Sequence, residues 1–252
     1  MSRTRRRTAT LPLLLALTLP LAACGDDGDG GDQKLQVLAA SSLTDVFTEL
    51  GRQFEADHDG VDVAFSFGSS TDLAEQAADG APGDVLATAD RTSMSVAQDA
   101  GAVTDPATFA TNVLVIVTPP DNPAGITSLA DLDGATWVRC ADEVPCGRVA
   151  LAVLDDAGID AQPASLEEDV RSTLDKVTSG EADAGLVYAS DAVAAGDAVE
   201  TIPIDGAESE PTSYSIAALD QSEDASLAQE WVDLVTGAEG RAALKDAGFS
   251  LP

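Results

Sequence analysis

Apolar residues recur with two different periods along the chain after residue 34. Short runs rich in β-branched residues predict strands, and longer runs with apolar residues three or four positions apart predict helices. The predicted strands are 35–40, 61–67, 84–88, 111–118, 135–140, 184–188, 200–204 and 213–218. The predicted helices are 43–56, 70–78, 91–100, 147–157, 170–179 and one or two helices within 222–246. Strands that alternate with helices in this way predict α/β layers.

Two loop-like stretches, 119–123 and 206–211, interrupt the alternation. The first contains three prolines and follows 111–118, a nearly continuous apolar run that is typical of one buried strand. Because proline cannot continue a strand, the first stretch is a candidate hinge. We therefore expect the chain to cross between two lobes twice, once at each stretch.

The first 33 residues are typical of an export signal followed by a tether. Basic residues precede the apolar segment 11–21, which is too short to span a bilayer comfortably, so residues 1–23 are predicted to be a signal peptide. The sequence Leu-Ala-Ala-Cys that ends at Cys24 resembles a lipobox, which implies cleavage after Ala23 and acylation of Cys24. An ordinary signal peptide with a chance cysteine is the alternative. Residues 24–33 are mostly Asp and Gly and are expected to form a flexible acidic tether.

The charge of the chain restricts its partners. It has 44 acidic and 13 basic residues, and its formal net charge is −31. A nucleic-acid partner would require a basic surface, so this composition argues against one. Net attraction would not capture an anion either, and an anion site in this chain must act through local dipoles.

Two cysteines, Cys140 and Cys146, lie six positions apart in a chain that is predicted to be exported. A disulfide is the expected state of such a pair. A metal site would need further ligands, and a catalytic thiol would need a histidine. The single histidine, His58, lies at a predicted helix end and is expected at the surface.

Two serines, Ser42 and Ser70, stand where a predicted strand passes into a predicted helix. A serine at this position either caps the helix or offers a hydroxyl and a main-chain N–H to an anion. Either serine alone is explained as well by capping. Two such junctions, with further strand-to-helix junctions near Cys146 and Val170, predict an oxyanion site at the carboxyl ends of the strands.

The ordered set of motifs resembles the molybdate-binding proteins of ABC transporters, which are type 2 periplasmic solute-binding proteins. The resemblance runs from about residue 35 to the C-terminus. The matching motifs are A-A-S-S-L-T (39–44), F-G-S-S-T (67–71), G-A-P-G-D-V (80–85), A-T-A-D (87–90), V-P-C-G (144–147), E-D-V-R (168–171) and G-L-V-Y-A-S-D-A (185–192).

The resemblance implies a fold and its division along the chain. The implied fold is a two-lobed α/β fold of the type II periplasmic-binding-protein kind, with two mixed sheets flanked by helices and two hinge crossings. Lobe I would comprise residues 34–117 and 212–252, and lobe II residues 118–211.

The resemblance also implies five ligand positions. Ser42 and Ser70 would each give a hydroxyl and a main-chain N–H, Cys146 and Val170 would each give a main-chain N–H, and Tyr188 would give its phenolic hydroxyl. The family commonly has a small residue such as alanine where Cys146 stands. A disulfide at Cys146 could fix this amide in place and could also narrow the pocket. No side chain would coordinate molybdenum directly.

The function implied is that of an extracytoplasmic lipoprotein, anchored to the cell membrane through Cys24. It would capture molybdate, and also tungstate, and deliver the anion to an ABC permease. We expect a monomer that catalyses no reaction and uses no cofactor. A binder of sulfate or another tetrahedral oxyanion stays open, because cavity size decides between these anions. An exported serine hydrolase is a third hypothesis, which the absence of a G-x-S-x-G motif disfavours.

Overall fold

The computed structural model describes residues 33–252, which form two five-stranded mixed sheets flanked by helices. This architecture confirms the predicted fold class. The predicted signal peptide, the predicted lipidation site Cys24 and nearly all of the predicted tether lie outside the described residues. Gln33, which was expected to end the tether, already pairs with Val61 in the first sheet. Within residues 33–252, no helix has the length and apolar character needed to cross a membrane.

Ten strands and eight α-helices make up the part of the chain that the structure describes. The strands are β1 (Gln33–Ala40), β2 (Val61–Gly68), β3 (Val85–Thr88), β4 (Ala107–Asn112), β5 (Leu114–Thr118), β6 (Trp137–Cys140), β7 (Ser165–Glu167), β8 (Ala184–Tyr188), β9 (Glu200–Pro203) and β10 (Thr212–Ala218). The helices are α1 (Thr44–Asp57), α2 (Ser70–Ala78), α3 (Arg91–Asp99), α4 (Pro145–Asp156), α5 (Val170–Thr178), α6 (Ala189–Ala195), α7 (Ala225–Thr236) and α8 (Ala238–Asp246).

The two sheets are built on the same plan. The strand order is β2-β1-β3-β10-β4 in the first sheet and β7-β6-β8-β5-β9 in the second. In each sheet the first three strands are parallel, and the last two follow in an antiparallel arrangement. Each sheet therefore presents the carboxyl ends of three parallel strands at one edge, where ligands bind in open α/β sheets.

The first crossing between the sheets lies at Val113, and its predicted position at 119–123 was wrong. The run 111–118 is not one strand: β4 ends at Asn112 in the first sheet, and β5 begins at Leu114 in the second. The Asn112 side chain accepts from the Val113 N–H and donates to the Ser190 hydroxyl, which fixes the chain at this point. An apolar run indicates that a segment is buried, but not which sheet it joins. Because the chain is buried on both sides of Val113, the sequence did not reveal the crossing.

Residues 114–117 therefore belong to the second sheet, although lobe I was expected to extend to residue 117. We define the first lobe by the first sheet, as residues 33–112 and 212–252, and the second lobe by the second sheet, as residues 114–204. The second crossing, between β9 and β10, includes the predicted loop 206–211. Two short elements of the second lobe, β7 and α6, were not predicted.

An aromatic cluster fixes α1 on the first sheet. Trp231 of α7 is fully buried, and its ring contacts those of Phe47, Phe54 and Phe65 with centroid distances of 5.5–5.6 Å. Phe47 and Phe54 lie on the buried face of α1, and Phe65 lies on β2. The contacts hold the start of α1, and therefore the Ser42 turn before it, in a fixed position.

Two glycines let helices of the second lobe approach the sheet closely. A Cβ atom on Gly185 of β8 would lie 2.8 Å from Cγ2 of Val177, so α5 can pack here only against a glycine. A Cβ atom on Gly147 would lie 1.7 Å from the carbonyl oxygen of Ala141, within the turn that begins α4. These approaches place the first residues of α5 and α4 at the carboxyl edge of the second sheet.

A disulfide joins Cys140, at the end of β6, to Cys146, in the first turn of α4. Both cysteines are buried. The bridge closes a loop with a sequence separation of 6, for which loop entropy predicts a stabilisation of about 2 kcal/mol. It connects the strand directly to the helix start that follows it.

A buried carboxylate lies at the start of α6. Asp191 is fully buried, its Oδ2 accepts from the Tyr188 N–H at 3.2 Å, and its Oδ1 lies 3.1 Å from Nε of Arg171. Burial raises the pKa of Asp191 from 3.8 to about 7, against the opposing effect of the Arg171 charge. The carboxyl group therefore binds its proton more tightly in the folded chain than in the unfolded chain.

We expect Cys140 and Cys146 to be bonded to each other, so that neither carries a free thiol. In a chain with Cys24 replaced by serine, thiol titration after denaturation without a reductant should find no free thiol, and two after reduction. Two free thiols before reduction would contradict the disulfide.

We expect Asp191 to make the free energy of unfolding fall as the pH rises from about 4 to about 7. Over this range the folded state holds a proton that the unfolded state releases, so unfolding becomes more favourable as the pH increases. Asp191→Asn should remove up to about 4 kcal/mol of this pH dependence. Urea unfolding of both proteins across the range measures the difference. Asp175→Asn, at an exposed position on α5, is the control, and a difference that does not vary with pH would show that the Asp191 pKa is not raised.

Candidate functional site

A small cavity lies where the parallel strands of the two sheets end. Its volume is about 10 Å³, which is close to the least that can hold one water molecule. Residues at or just after the ends of β1, β2 and β3 line one side, and residues at or just after the ends of β6, β7 and β8 line the other. The lining residues are Ala40, Ser41, Ser42, Gly68, Ser69, Ser70, Ala89, Val144, Pro145, Cys146, Asp169, Val170 and Tyr188.

All five residues predicted as ligands line this cavity. They are Ser42 and Ser70 of the first lobe and Cys146, Val170 and Tyr188 of the second. None of them is more than 4% exposed, so the lobes enclose the site. The structure thus brings together residues that are up to 146 positions apart, as Ser42 and Tyr188 are numbered in the sequence.

The starts of three helices supply main-chain N–H groups to the cavity. Ser70 begins α2 and Val170 begins α5, and the first amides of a helix have no acceptor within it. In α4 the first residue is Pro145, which has no N–H, so Cys146 provides the first amide. The positive ends of these helices meet at one point, where they favour negative charge.

The serine hydroxyls are held so that they can donate to the cavity. Oγ of Ser70 accepts from the Ala89 N–H at 2.9 Å, which leaves the Ser70 proton free. Oγ of Ser42 lies 2.8 Å from the hydroxyl of Tyr214, and either group can donate. When the phenol donates, the Ser42 proton is free as well. Burial raises the pKa of Tyr214, which keeps the phenol protonated for this role.

The hydroxyl of Tyr188 is buried and has no hydrogen-bond partner among residues 33–252. The nearby Thr212 hydroxyl donates instead to the carbonyl of Ala89. Burial raises the pKa of Tyr188 well above its ordinary value, so the phenol stays protonated at neutral pH. A buried donor without an acceptor is costly, by about 1–3 kcal/mol, so this hydroxyl indicates a ligand that accepts a hydrogen bond.

The five predicted ligands did not include several other residues of the site. Ser41, Ser69 and Ala89 line the cavity, and Tyr214 supports Ser42 from behind. The Ser69 hydroxyl is buried and unpartnered in the part of the chain that the structure describes, although Ser69 holds the N-cap position of α2. The adjacent serines of each motif were a signal for Ser41 and Ser69. Nothing local to Tyr214 could have placed it beside a residue 172 positions away.

No lysine or arginine lines the cavity. Asp169 is its one charged lining residue, and Oδ1 of Asp169 accepts from the Ser172 N–H as the cap of α5. Arg171 pairs with Asp45 and Asp191 and does not line the cavity. The site therefore consists of uncharged donors. Among residues 33–252, no group of three or more His, Cys, Asp and Glu side chains could hold a metal ion.

Among residues 33–252, no His, Asp, Glu or Lys side chain is hydrogen-bonded to the hydroxyl of Ser42 or Ser70. His58, at the end of α1, lies 3.0 Å from Glu230 and stacks on Phe54, and it does not line the cavity. A serine nucleophile needs an adjacent base to remove its proton. The arrangement of Ser42 and Ser70 thus favours binding over the hydrolase hypothesis.

A wider groove of about 830 Å³ shares Ser42 with the site but has a different character. It runs between α1, α6 and α8, and its lining includes the acidic side chains Asp45, Glu49, Asp57, Glu239 and Asp246. These charges would repel an anion, so the small cavity is the better candidate for an anion site.

Comparison with known proteins agrees with this geometry. The family model described as "Bacterial extracellular solute-binding protein" matches residues 35–250. The molybdate-binding protein ModA of Mycobacterium tuberculosis is 39% identical, over 94% of this chain and 95% of its own length.

Two solved structures share the fold. The periplasmic molybdate-binding protein of Azotobacter vinelandii has a TM-score of 0.76 at 22% identity, over 86% of this chain and 99% of that chain. The sulfate-binding protein SubI of M. tuberculosis has a TM-score of 0.75 at 18% identity, over 86% of both chains. At these identities the similarity concerns the fold alone. The family match over residues 35–250 and the 39% identity over nearly the whole chain establish that this chain belongs to the bacterial extracellular solute-binding proteins.

Proposed function

We propose that this protein captures molybdate, and also tungstate, outside the cytoplasm and delivers it to an ABC importer. The observation that carries the proposal is the enclosed cavity, into which hydroxyls and helix-start amides converge with no basic side chain. The name of the M. tuberculosis relative, a molybdate-binding protein, supports the choice of anion.

The donor set selects a fully ionised oxyanion. Every oxygen of such an anion accepts hydrogen bonds, and the predicted ligand groups at Ser42, Ser70, Cys146, Val170 and Tyr188 can all donate. An anion that carries a proton would need an acceptor, but the Ser70 oxygen already accepts from the Ala89 N–H and Oδ1 of Asp169 from the Ser172 N–H. Phosphate carries such a proton near neutral pH, so the site should disfavour it. Buried polar groups that lack a partner are the usual physical basis of this kind of discrimination.

Molybdate and sulfate have the same charge and the same tetrahedral shape, so the size of the cavity must separate them. The fold does not separate them, because the sulfate-binding protein SubI shares it with a TM-score of 0.75. The 39% identity to a molybdate-binding protein over nearly the whole chain favours molybdate. Sulfate binding is the alternative that the experiment must test.

Delivery follows from the two lobes. The anion would hold the lobes together, and the closed protein would dock on the permease of the importer. We propose that the protein is a monomer, tethered to the membrane through a lipid on Cys24. Molybdenum would enter only as the bound oxyanion, without direct coordination by a side chain, and the protein would use no resident cofactor and catalyse no reaction.

We expect molybdate and tungstate to raise the melting temperature of the purified protein, and sulfate to raise it weakly or not at all. An anion at 100 times its dissociation constant should add about 2.7 kcal/mol to the free energy of unfolding. A thermal-shift series with all four anions, phosphate included, measures the ranking.

The ranking also decides between the hypotheses. Stabilisation by sulfate that equals or exceeds that by molybdate would support the sulfate alternative. If neither metal oxyanion shifts the melting temperature at concentrations well above micromolar, the proposed function is wrong.

We expect Ser42→Ala, Ser70→Ala and Tyr188→Phe each to weaken molybdate binding while the fold stays intact. Each change removes one hydroxyl donor to a charged acceptor, which is worth about 1.5–3 kcal/mol, or roughly ten- to a hundredfold in affinity. Binding should fall without vanishing, because the main-chain N–H groups remain.

Calorimetric titration of each variant gives its dissociation constant, and circular dichroism confirms the fold. Ser95→Ala, which removes an exposed hydroxyl from α3, is the matched control and should bind as the unaltered protein does. Unchanged affinity in both cavity-serine variants would mean that these serines act only as helix caps.

A further inference from the structure

The guanidinium of Arg148 crosses from the second lobe to the first. Arg148 lies on α4, and its Nε and Nη2 donate to Oδ2 of Asp90 at 2.8 and 2.6 Å. Nη2 also lies 3.1 Å from Oγ of Ser93, and Nη1 donates to the main-chain carbonyl of Glu143 within its own lobe. Asp90 and Ser93 belong to the start of α3 in the first lobe. The side chain thus forms a bridge between the two halves of the protein.

Both ends of this bridge adjoin residues of the anion cavity. Arg148 follows Cys146 by two positions, in the first turn of α4. Asp90 follows Ala89, whose N–H donates to the Ser70 hydroxyl. Thr71, next to Ser70, donates across the lobes to the same Glu143 carbonyl at 2.9 Å. The start of α4 is therefore joined directly to the Ser70 side of the cavity.

The bridge is partly shielded from water. The Arg148 side chain is 30% exposed and that of Asp90 is 14% exposed. Oδ1 of Asp90 accepts from the Ser93 N–H, so both carboxylate oxygens are occupied. Hydrogen bonds between ionised partners are stronger than neutral ones, and partial burial reduces their screening by salt. The bridge also neutralises the Arg148 charge, which therefore does not serve the anion.

We propose that Arg148 is a positioning residue for anion binding, and that its bridge to Asp90 holds the Cys146 amide against the Ser70 side of the cavity. The anion and the bridge then close the lobes together, and the bridge slows release of the anion. This inference rests on the proposed function.

A different role for Arg148 would be to attract the anion through its own charge. The two roles predict opposite effects of Asp90→Asn. If Arg148 acts through the bridge, this change breaks the ion pair and speeds release. If Arg148 attracts the anion, the same change frees its charge and tightens binding. Asparagine is as good an N-cap as aspartate, so α3 keeps its start in the variant.

The experiment compares Arg148→Gln, Asp90→Asn and the double variant with the unaltered protein. Release of labelled molybdate into an excess of unlabelled molybdate gives the dissociation rate constant. Calorimetry gives the dissociation constant, and the two together give the association rate constant. Lys176→Gln is the matched control, because it breaks an ion pair with Glu181 that lies wholly within the second lobe.

Each single variant should release molybdate about five- to thirtyfold faster, with an association rate constant within about twofold of the unaltered value. The double variant should release it no faster than the singles, because all three lack the same bridge. Lys176→Gln should be unchanged. Tighter binding by Asp90→Asn, or release from Arg148→Gln at the unaltered rate, would overturn the proposal.

A second measurement separates failure of this inference from failure of the proposed function. If the unaltered protein binds no molybdate, the proposed function is wrong, and the bridge is then judged without a ligand. Small-angle X-ray scattering should give a larger radius of gyration for Arg148→Gln than for Lys176→Gln. Equal radii of gyration for the two variants would show that the Arg148 bridge does not hold the lobes together.

Discussion

The structure depends on one constraint, which is that an anion must be enclosed in a strongly acidic protein without the help of a cationic side chain. A buried charge is costly unless hydrogen bonds replace its water. In the proposed site the replacement would come from main-chain amides at helix starts, with hydroxyls beside them. The free amides of a helix lie only at its start, and these helices start just after the parallel strands end. The parallel strands of both sheets must therefore end at the same place. The shared plan of the two sheets meets this requirement.

Acidic groups close to the site are paired with arginines or hydrogen-bonded to the main chain, which reduces their repulsion of the anion. Asp90 is paired with Arg148, Asp191 lies beside Arg171, and Asp169 caps α5 through the Ser172 N–H. Each carboxylate therefore has a donor of its own, and each arginine has a carboxylate. The helix starts and hydroxyls that line the cavity are left to determine what binds.

The start of α4 is the most constrained part of the site. Pro145 leaves Cys146 as the first amide, the disulfide ties Cys146 to β6, and Gly147 permits a contact with Ala141 that no side chain could tolerate. The Arg148 bridge then joins the same turn to the other lobe. An amide is an effective anion ligand only in the correct position, and its neighbours in the chain provide that position.

The sequence by itself determined most of the elements and five residues of the candidate site. Periodicity located β1, α1, β2 and α2 almost to the residue, because each lies in a regular pattern that local chemistry starts and stops. The ordered motifs singled out Ser42, Ser70, Cys146, Val170 and Tyr188, and all five line one cavity.

The tertiary structure alone decided which sheet each strand joins and which distant groups support the site. The crossing at Val113 divides an apolar run that reads as one strand, since burial looks the same in either sheet. Tyr214 behind Ser42 and Asp90 opposite Arg148 are separated from their partners by 172 and 58 positions. Sequence patterns record local backbone preference and burial. These pairings exist only because the two sheets bring the ends of their strands together.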